Sequence, residues 1–183
     1  MSVLVYLADG FEEMEAVTLI DILRRAGVDV TTVSVTDSKA VVGDHNIAIL
    51  ADALFDDIDH AACEMIVLPG GVKGANNLAA HEGLKSVLDG AAGERKWLAA
   101  ICAAPTVLGR HGLLEGRVAT CYPGHEQKLQ GAQFTETRVV MDDNIVTSRG
   151  PGTAIEFALK LVEILKDAET AGTLVNKMLI AAV

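Results

Sequence analysis

Basic residues, cysteines and aromatics are all scarce in this chain, and each shortage closes off a class of function. Lysine and arginine number 15 against 25 aspartates and glutamates, for a formal charge of −10, and the longest basic run is Arg24-Arg25. Nucleic acids and anionic membrane surfaces are approached through clustered cations that release counterions, so neither is expected as a partner. Three cysteines, Cys63, Cys102 and Cys121, are too few and too irregularly spaced for a disulfide framework or a zinc site, and no C-x-x-C occurs. The odd count fits free thiols in a reducing compartment. The N-terminus has neither a basic n-region nor a long apolar h-region, so it does not read as a signal peptide. The longest apolar stretch, Trp97 to Gly109, is too short to span a bilayer and contains Pro105. A cytoplasmic protein with no metal is the expectation.

What the chain does have is small and aliphatic. Half of its 183 residues are hydrophobic, although aromatics supply only 4%. That length predicts one domain over residues 1–183, large enough to bury about 70% of its unfolded surface without staples. The organising pattern is alternation. Val3 to Leu7 is a short apolar run with the look of a strand buried on both faces. Glu12 to Ala26 follows as a helix whose Met14, Val17, Ile20 and Leu23 recur at three-residue steps, with Gly27 placed as its C-terminal stop. Asp29 to Val35 predicts a second strand, and 40–43 with 47–50 a small hairpin. Met65 to Leu68 and Trp97 to Ile101 predict core strands, and Glu82 to Ala92 a helix. Pro105 falls in the first turn of another helix, where its missing N–H costs nothing. Strands over 118–120, 138–141 and 145–147 and helices over 153–165 and 169–180 complete the chain. Strands alternating with helices imply right-handed crossovers and a mostly parallel sheet covered on both faces.

In such folds chemistry gathers beyond the carboxyl ends of the strands. Five segments are expected on one rim: 9–15, 70–74, 102–105, 120–123 and 148–153. Within them Cys102 stands out, because it lies between a buried strand and a helix start with only Ala103 and Ala104 beside it. A turn that tight predicts an exposed, strained side chain like a hydrolase nucleophile elbow, with the helix end favouring thiolate and free N–H groups ready for an oxyanion. A packed, inert thiol fits the same position. Glu12 and Glu13 read as complements to a helix dipole. Glu15 is the one placed to face the thiol as a protonated, hydrogen-bonding carboxyl.

Gly70-Gly71-Val-Lys-Gly74 lacks the Walker spacing and reads as a tight turn, with a backbone N–H aimed at the Cys102 rim. Gly150-Pro-Gly152-Thr-Ala-Ile155 begins like a dinucleotide fingerprint but has isoleucine where the third glycine belongs, so NAD is rejected. No cofactor is expected. The histidines show no ligand spacing and read as surface residues; only His125 lies near the rim, where it is a candidate partner for a thiolate.

With these residues assembled, the sequence resembles the ThiJ/PfpI superfamily, and within it the branch of the Parkinson's-disease protein deglycase and bacterial YajL. Four stretches carry the resemblance, in family order: Gly10-Phe-Glu-Glu-Met-Glu-Ala16, Leu68-Pro-Gly-Gly71, Ala99-Ala-Ile-Cys-Ala-Ala-Pro105 and Thr147-Ser-Arg-Gly-Pro-Gly-Thr153. The resemblance implies a flavodoxin-like three-layer α/β sandwich of the class I glutamine amidotransferase type, and a homodimer. It further implies a nucleophilic, readily oxidised Cys102, a protonated Glu15 beside it, and an anion hole from the backbone N–H groups of Gly71 and Ala103. Relatives often carry His-Pro where this chain has Tyr122-Pro123, which leaves Tyr122 and His125 as alternatives for the third position. The activity implied is cofactor-free conversion of a small dicarbonyl or glycated substrate, such as methylglyoxal to lactate. The alternative is a non-enzymatic redox sensor or chaperone acting through oxidation of Cys102. Peptidase and amidotransferase readings drop out, because Ala103 rather than histidine follows the cysteine and no later His-x-Glu is present.

Overall fold

A computed structural model describes residues 2–180 of the chain. The elements in order are β1 (Ser2–Leu7), α1 (Glu13–Arg25), β2 (Asp29–Ser34), β3 (Ala40–Val42), β4 (Ala48–Leu50), β5 (Ala53–Leu54), β6 (Met65–Leu68), α2 (Val72–Ala80), α3 (Glu82–Gly93) and β7 (Trp97–Ile101). They are followed by α4 (Pro105–Arg110), β8 (Val118–Ala119), β9 (Gln133–Phe134), β10 (Val139–Asp142), β11 (Ile145–Ser148), α5 (Ala154–Leu165) and α6 (Ala168–Lys177). Seven strands form the central sheet in the order β10-β11-β7-β6-β1-β2-β5. All neighbours in it are parallel except the edge pair β10–β11. Helices α1, α5 and α6 pack together on one face, and α2, α3 and α4 on the other. This is the mostly parallel sheet, covered on both faces, that the alternation predicts, and the flavodoxin-like sandwich that the resemblance implies. Among the described residues no helix is long and apolar enough to cross a membrane.

Burial on both faces explains the unbroken apolar runs. Val3, Val5, Tyr6, Leu7 and all of Met65–Leu68 are fully buried. The chain leaves β1 towards β2 on one side and returns to β6 on the other. The loops after β1 and β6 therefore diverge at the topological switch point, where such sheets open a crevice at their strand ends.

Helix α1 buries a different stripe from the one its three-residue steps predict. Ala16, Leu19, Ile20 and Leu23 face the protein, whereas Met14 and Val17 are 63% and 51% exposed. Each step of three falls about 60° short of a full turn, so a strict three-residue series winds off the buried face. The stop at Gly27 is as expected, since its φ of +70° lets Gly27 N–H bond Arg24 O at 3.0 Å and Val28 N–H bond Leu23 O at 3.1 Å. Residues 72–74 open α2 rather than forming a free turn.

The acids of the first turn do more than complement a dipole. Glu12 is the N-cap, its Oε2 accepting Glu15 N–H at 2.7 Å. Glu13 is buried and holds the β3–β4 hairpin: Oε1 accepts the N–H groups of His45 and Ile47 at 2.6 and 3.4 Å, and Oε2 meets His45 Nδ1 at 2.8 Å. Burial would raise this carboxyl, but the His45 side chain and the backbone donors hold it below the usual carboxylate range. Of the histidines, read from sequence as surface residues, only His45 is exposed; the other four are half-buried. His60 Nδ1 bonds Tyr6 OH at 2.7 Å, and His81 Nδ1 accepts Leu84 N–H at 3.0 Å as the N-cap of α3.

Replacing Glu13 by alanine leaves the two hairpin N–H groups without their acceptor. A loss of about 1–3 kcal/mol is expected in urea unfolding, with faster amide exchange confined to 40–50. The contribution of a lowered carboxyl is present above its unfolded pKa and fades as pH falls through its folded one. The difference from wild type should therefore shrink in acid.

Candidate active site

The strand β7 ends at Ile101, and the backbone turns at once into a left-handed residue, Cys102, with φ of +65°. For a residue with a Cβ that conformation costs on the order of 1–2 kcal/mol and persists only where its surroundings fix it. Here both backbone groups are pinned: Cys102 N–H donates to Ser148 O at 2.9 Å, and Cys102 O accepts Tyr122 N–H at 2.8 Å. The elbow is thus strained as expected. It is not exposed, because Cys102 is only 7% accessible. The reason is the Pro69-Gly70-Gly71 loop. A Cβ at Gly70 would lie 2.5 Å from both Cys102 Cβ and Glu15 Oε2, so the absence of a side chain is what lets the two groups converge.

Glu15 is fully buried. Its Oε2 accepts Gly70 N–H at 2.8 Å, while its Oε1 is buried with no donor among the described residues. Burial raises the carboxyl to about 7, against the pull of the facing Cys102 and of Gly70 N–H, with a smaller push from the charge of Glu12. Burial also pushes the Cys102 thiol well above its ordinary value, and the facing Glu15 adds to this. The backbone N–H groups of Gly71 and Ala103 act in the opposite sense. The expectation of a thiolate made by the helix end is corrected accordingly: the donors are present, but desolvation outweighs them. The two groups titrate as a pair: near neutrality the carboxyl is close to half-ionised while the thiol keeps its proton.

The other thiols lack these donors. Cys63 is raised chiefly by burial, and Cys121 is pushed up to about 11 by burial and by Glu126. Tyr122 is 45% exposed, its ring lying over Gly150 and meeting His125 edge-on with centroids 6.4 Å apart. No hydrogen bond joins His125 to Cys102; its Nδ1 is buried and has no partner among the described residues, and burial lowers its pKa. All five predicted segments do meet at one rim. Glu12 N–H reaches Gly70 O, Thr120 N–H reaches Thr147 Oγ1, and Thr153 Oγ1 ties Ser148 to Gly150. Sequence reasoning missed Gly70 as the residue that seats Glu15, although its neighbour Gly71 signals a backbone approach, and it missed Glu12 as the cap that orients Glu15. One cluster among the described residues, Glu12, Glu13 and His45, has ligand atoms within 4.8 Å of one another. The carboxylate oxygens of Glu13 already serve the hairpin, so the fold itself uses that cluster.

A doubly wound sheet with a buried cysteine at a strained strand–helix elbow, a facing acid and two backbone donors defines a class of cysteine-centred α/β proteins. The chain belongs to the DJ-1/PfpI family, whose model matches residues 1–164. Within it the DJ-1 branch is indicated by the relatives. A zebrafish protein named Parkinson disease protein 7 homolog is 41% identical over 172 residues, 92% of this chain and 91% of its own. Protein DJ-1 homolog B of Arabidopsis thaliana is 44% identical over 162 residues, 88% of this chain but only 37% of its own length. A Caenorhabditis elegans relative named glutathione-independent glyoxalase DJR-1.2 is 32% identical over 171 residues, 93% of this chain and 91% of its own. The solved structure of oxidized Toxoplasma gondii DJ-1 superposes with a TM-score of 0.95 at 40% identity, covering 99% of both chains.

A carboxyl raised above its unfolded pKa destabilises the fold once pH exceeds the unfolded value, and the full cost is reached above the folded one. Glu15→Gln is therefore expected to be more stable than wild type at pH 8, by on the order of 2 kcal/mol, with the difference vanishing below about pH 4. Urea unfolding across that range checks it; a constant difference would contradict a buried, titrating Glu15.

Proposed function

We propose that the protein is a cofactor-free, cysteine-dependent enzyme that converts small reactive dicarbonyls, of which methylglyoxal is the simplest, to hydroxy acids. The observation that carries this reading is the buried Cys102–Glu15 pair, brought together by the side-chain-free Gly70 and its N–H to the carboxyl, with the Gly71 and Ala103 N–H groups acting on the sulfur. Ionised Glu15 takes the thiol proton as sulfur adds to the aldehyde carbon, and then delivers it to the new hemithioacetal oxygen. Again ionised, it removes the hydrogen from that carbon and returns it to the neighbouring one, while the hydroxyl proton of the first carbon passes to the oxygen of the second, leaving a 2-hydroxy thioester. The Gly71 and Ala103 amides hold the oxyanion of the enediolate between those steps. The resulting thioester is hydrolysed by water, so that methylglyoxal plus water gives lactate and the free thiol. The name of the nematode relative supports the same chemistry.

Lactate production from methylglyoxal tests this reading. Cys102→Ser is expected to lose at least about a hundredfold in kcat/KM and Glu15→Gln a comparable factor, since each removes a group that handles the reacting atoms. Wild-type turnover no faster than the Cys102→Ser background would overturn it. The redox alternative uses the same sulfur. Its mark is peroxide oxidation confined to Cys102, read by mass spectrometry, together with wild-type protein that makes no lactate.

We further propose that two copies pair through α1 and the β3–β4 hairpin. Met14 and Val17 are exposed on α1, and Val17 lines one groove with Ile20, Ile49 and the 75% exposed Leu50 of the hairpin, rimmed by Asp21, Arg24 and Asp52. Exposed apolar residues grouped within a polar rim mark an interaction surface. Sedimentation should give twice the chain mass for wild type and the chain mass for Leu50→Glu; an unchanged Leu50→Glu would exclude this face.

A further inference from the structure

The Gly71 donor of the proposed chemistry is a backbone group, so the direction it faces is set by its peptide unit. Gly71 N–H shares that unit with Gly70 C=O, and in a planar trans peptide the two point in opposite directions. Fixing the carbonyl therefore fixes the donor. The carbonyl is held, because Gly70 O accepts Glu12 N–H at 3.0 Å. The first turn of α1 thus grips both sides of Gly70, whose own N–H donates to Glu15 Oε2 at 2.8 Å. A third bond, Glu15 N–H to Glu12 Oε2 at 2.7 Å, closes a ring through residues 12, 15 and 70. The loop runs between Glu12 and the thiol: a Cβ at Gly71 would lie 2.8 Å from Glu12 N, and one at Gly70 2.5 Å from Cys102 Cβ. With its carbonyl drawn to Glu12, the peptide turns Gly71 N–H the other way, and this N–H acts on the Cys102 sulfur.

The chain itself does not impose this orientation. The peptide has glycine on both sides, and Gly71 stands at φ of +87°. A half-turn of the peptide changes only Gly70 ψ and Gly71 φ, and glycine adopts a negative φ as readily as a positive one. The bonds of the flanking peptides, Gly70 N–H to Glu15 and Gly71 O to Ala75 N–H, belong to other units and survive the turn. In the turned state Gly70 O would face the sulfur and accept from the thiol, and the oxyanion donor would be lost. From this geometry we infer that Glu12 is a positioning residue for the oxyanion donor: its N–H holds the Gly70–Gly71 peptide in the orientation that presents Gly71 N–H to Cys102, and without that bond the peptide turns over. The use of the donor rests on the dicarbonyl activity proposed above; its orientation does not.

The test deletes that N–H. Proline lacks it and suits the backbone at Glu12, where φ is −85°. Glu12→Pro and Glu12→Ala both lose the capping carboxylate, so their difference reports the N–H alone. Alkylation by iodoacetamide at mildly alkaline pH, followed by mass spectrometry, reads the donor without any turnover, because an N–H facing the sulfur stabilises thiolate. Glu12→Pro should react about five- to tenfold more slowly than Glu12→Ala at Cys102, the worth of one neutral hydrogen bond, and equally at Cys63 and Cys121. Lactate formation should lose a similar factor in kcat with KM within about twofold, a split that general loosening of the fold does not give. If proline prevents folding, an ester in place of the Glu12 amide, introduced by synthesis and ligation, deletes the same N–H with the side chain kept, and is compared with wild type. Equal Cys102 reactivity within a folded pair, or slowing shared by all three cysteines, would overturn the inference. Selective slowing in protein that makes no lactate from methylglyoxal upholds the orientation and removes the dicarbonyl reading. Lactate formation with equal reactivity does the reverse.

Discussion

One hydrogen bond organises the centre of this molecule: Gly70 N–H to the Glu15 carboxyl at 2.8 Å. It joins the end of β6 to the start of α1 at the topological switch point, and seats the acid against Cys102 at the end of β7. A side chain at Gly70 would collide with both partners, so the loop must carry glycine there. Neither face of the bond is wet. The carboxyl therefore cannot ionise freely and the thiol beside it cannot either, so the carboxyl sits at the edge of ionisation while the thiol keeps its proton. Without the Gly70 donor, burial of Glu15 would have no partial offset beyond the thiol itself.

The rest of the fold supports that arrangement. A left-handed cysteine is unfavourable by itself, and it is held by β11 on one side and the loop after β8 on the other. Those strands are in turn fixed by the fully buried runs of β1, β6 and β7, whose side chains belong to the core. The strain is small beside the burial energy of even a few such residues, at about 1.5–3 kcal/mol each. Glu12 and Glu13 show the same economy. One caps α1 and so aims Glu15, and the other ties the hairpin to the helix that carries it.

Most of this was legible from residue order. The alternation of apolar runs and amphipathic segments specifies the sheet and its two helical layers. The small residues around Cys102 specify an elbow, and the rule that sites lie at strand ends collects all five rim segments. What could not be read is local and three-dimensional. The exposure of Met14 and Val17 depends on how α1 is rotated against α5, which a three-residue series does not encode. The burial of Cys102 depends on a loop that arrives from β6, about thirty residues earlier in the chain. The raised thiol follows from that burial, so reading a helix end alone predicted the wrong sign. The direction of the Gly71 donor could not be seen until the partner of the Gly70 carbonyl had been placed.

The resting protonation of the pair bears on which chemistry suits it. Oxidation by peroxide begins with a preformed thiolate, which burial and the neighbouring acid both suppress. The carbonyl addition proposed above has no such requirement, since in it Glu15 would accept the proton while sulfur and carbon are joining, and no second buried charge would be created. The sulfur then acquires its nucleophilicity only as the electrophile arrives. The two amide donors stabilise the charge wherever it moves between sulfur and oxygen. A thiol that is quiet until a carbonyl is in place is the arrangement that an acid at the edge of ionisation, buried beside it, produces.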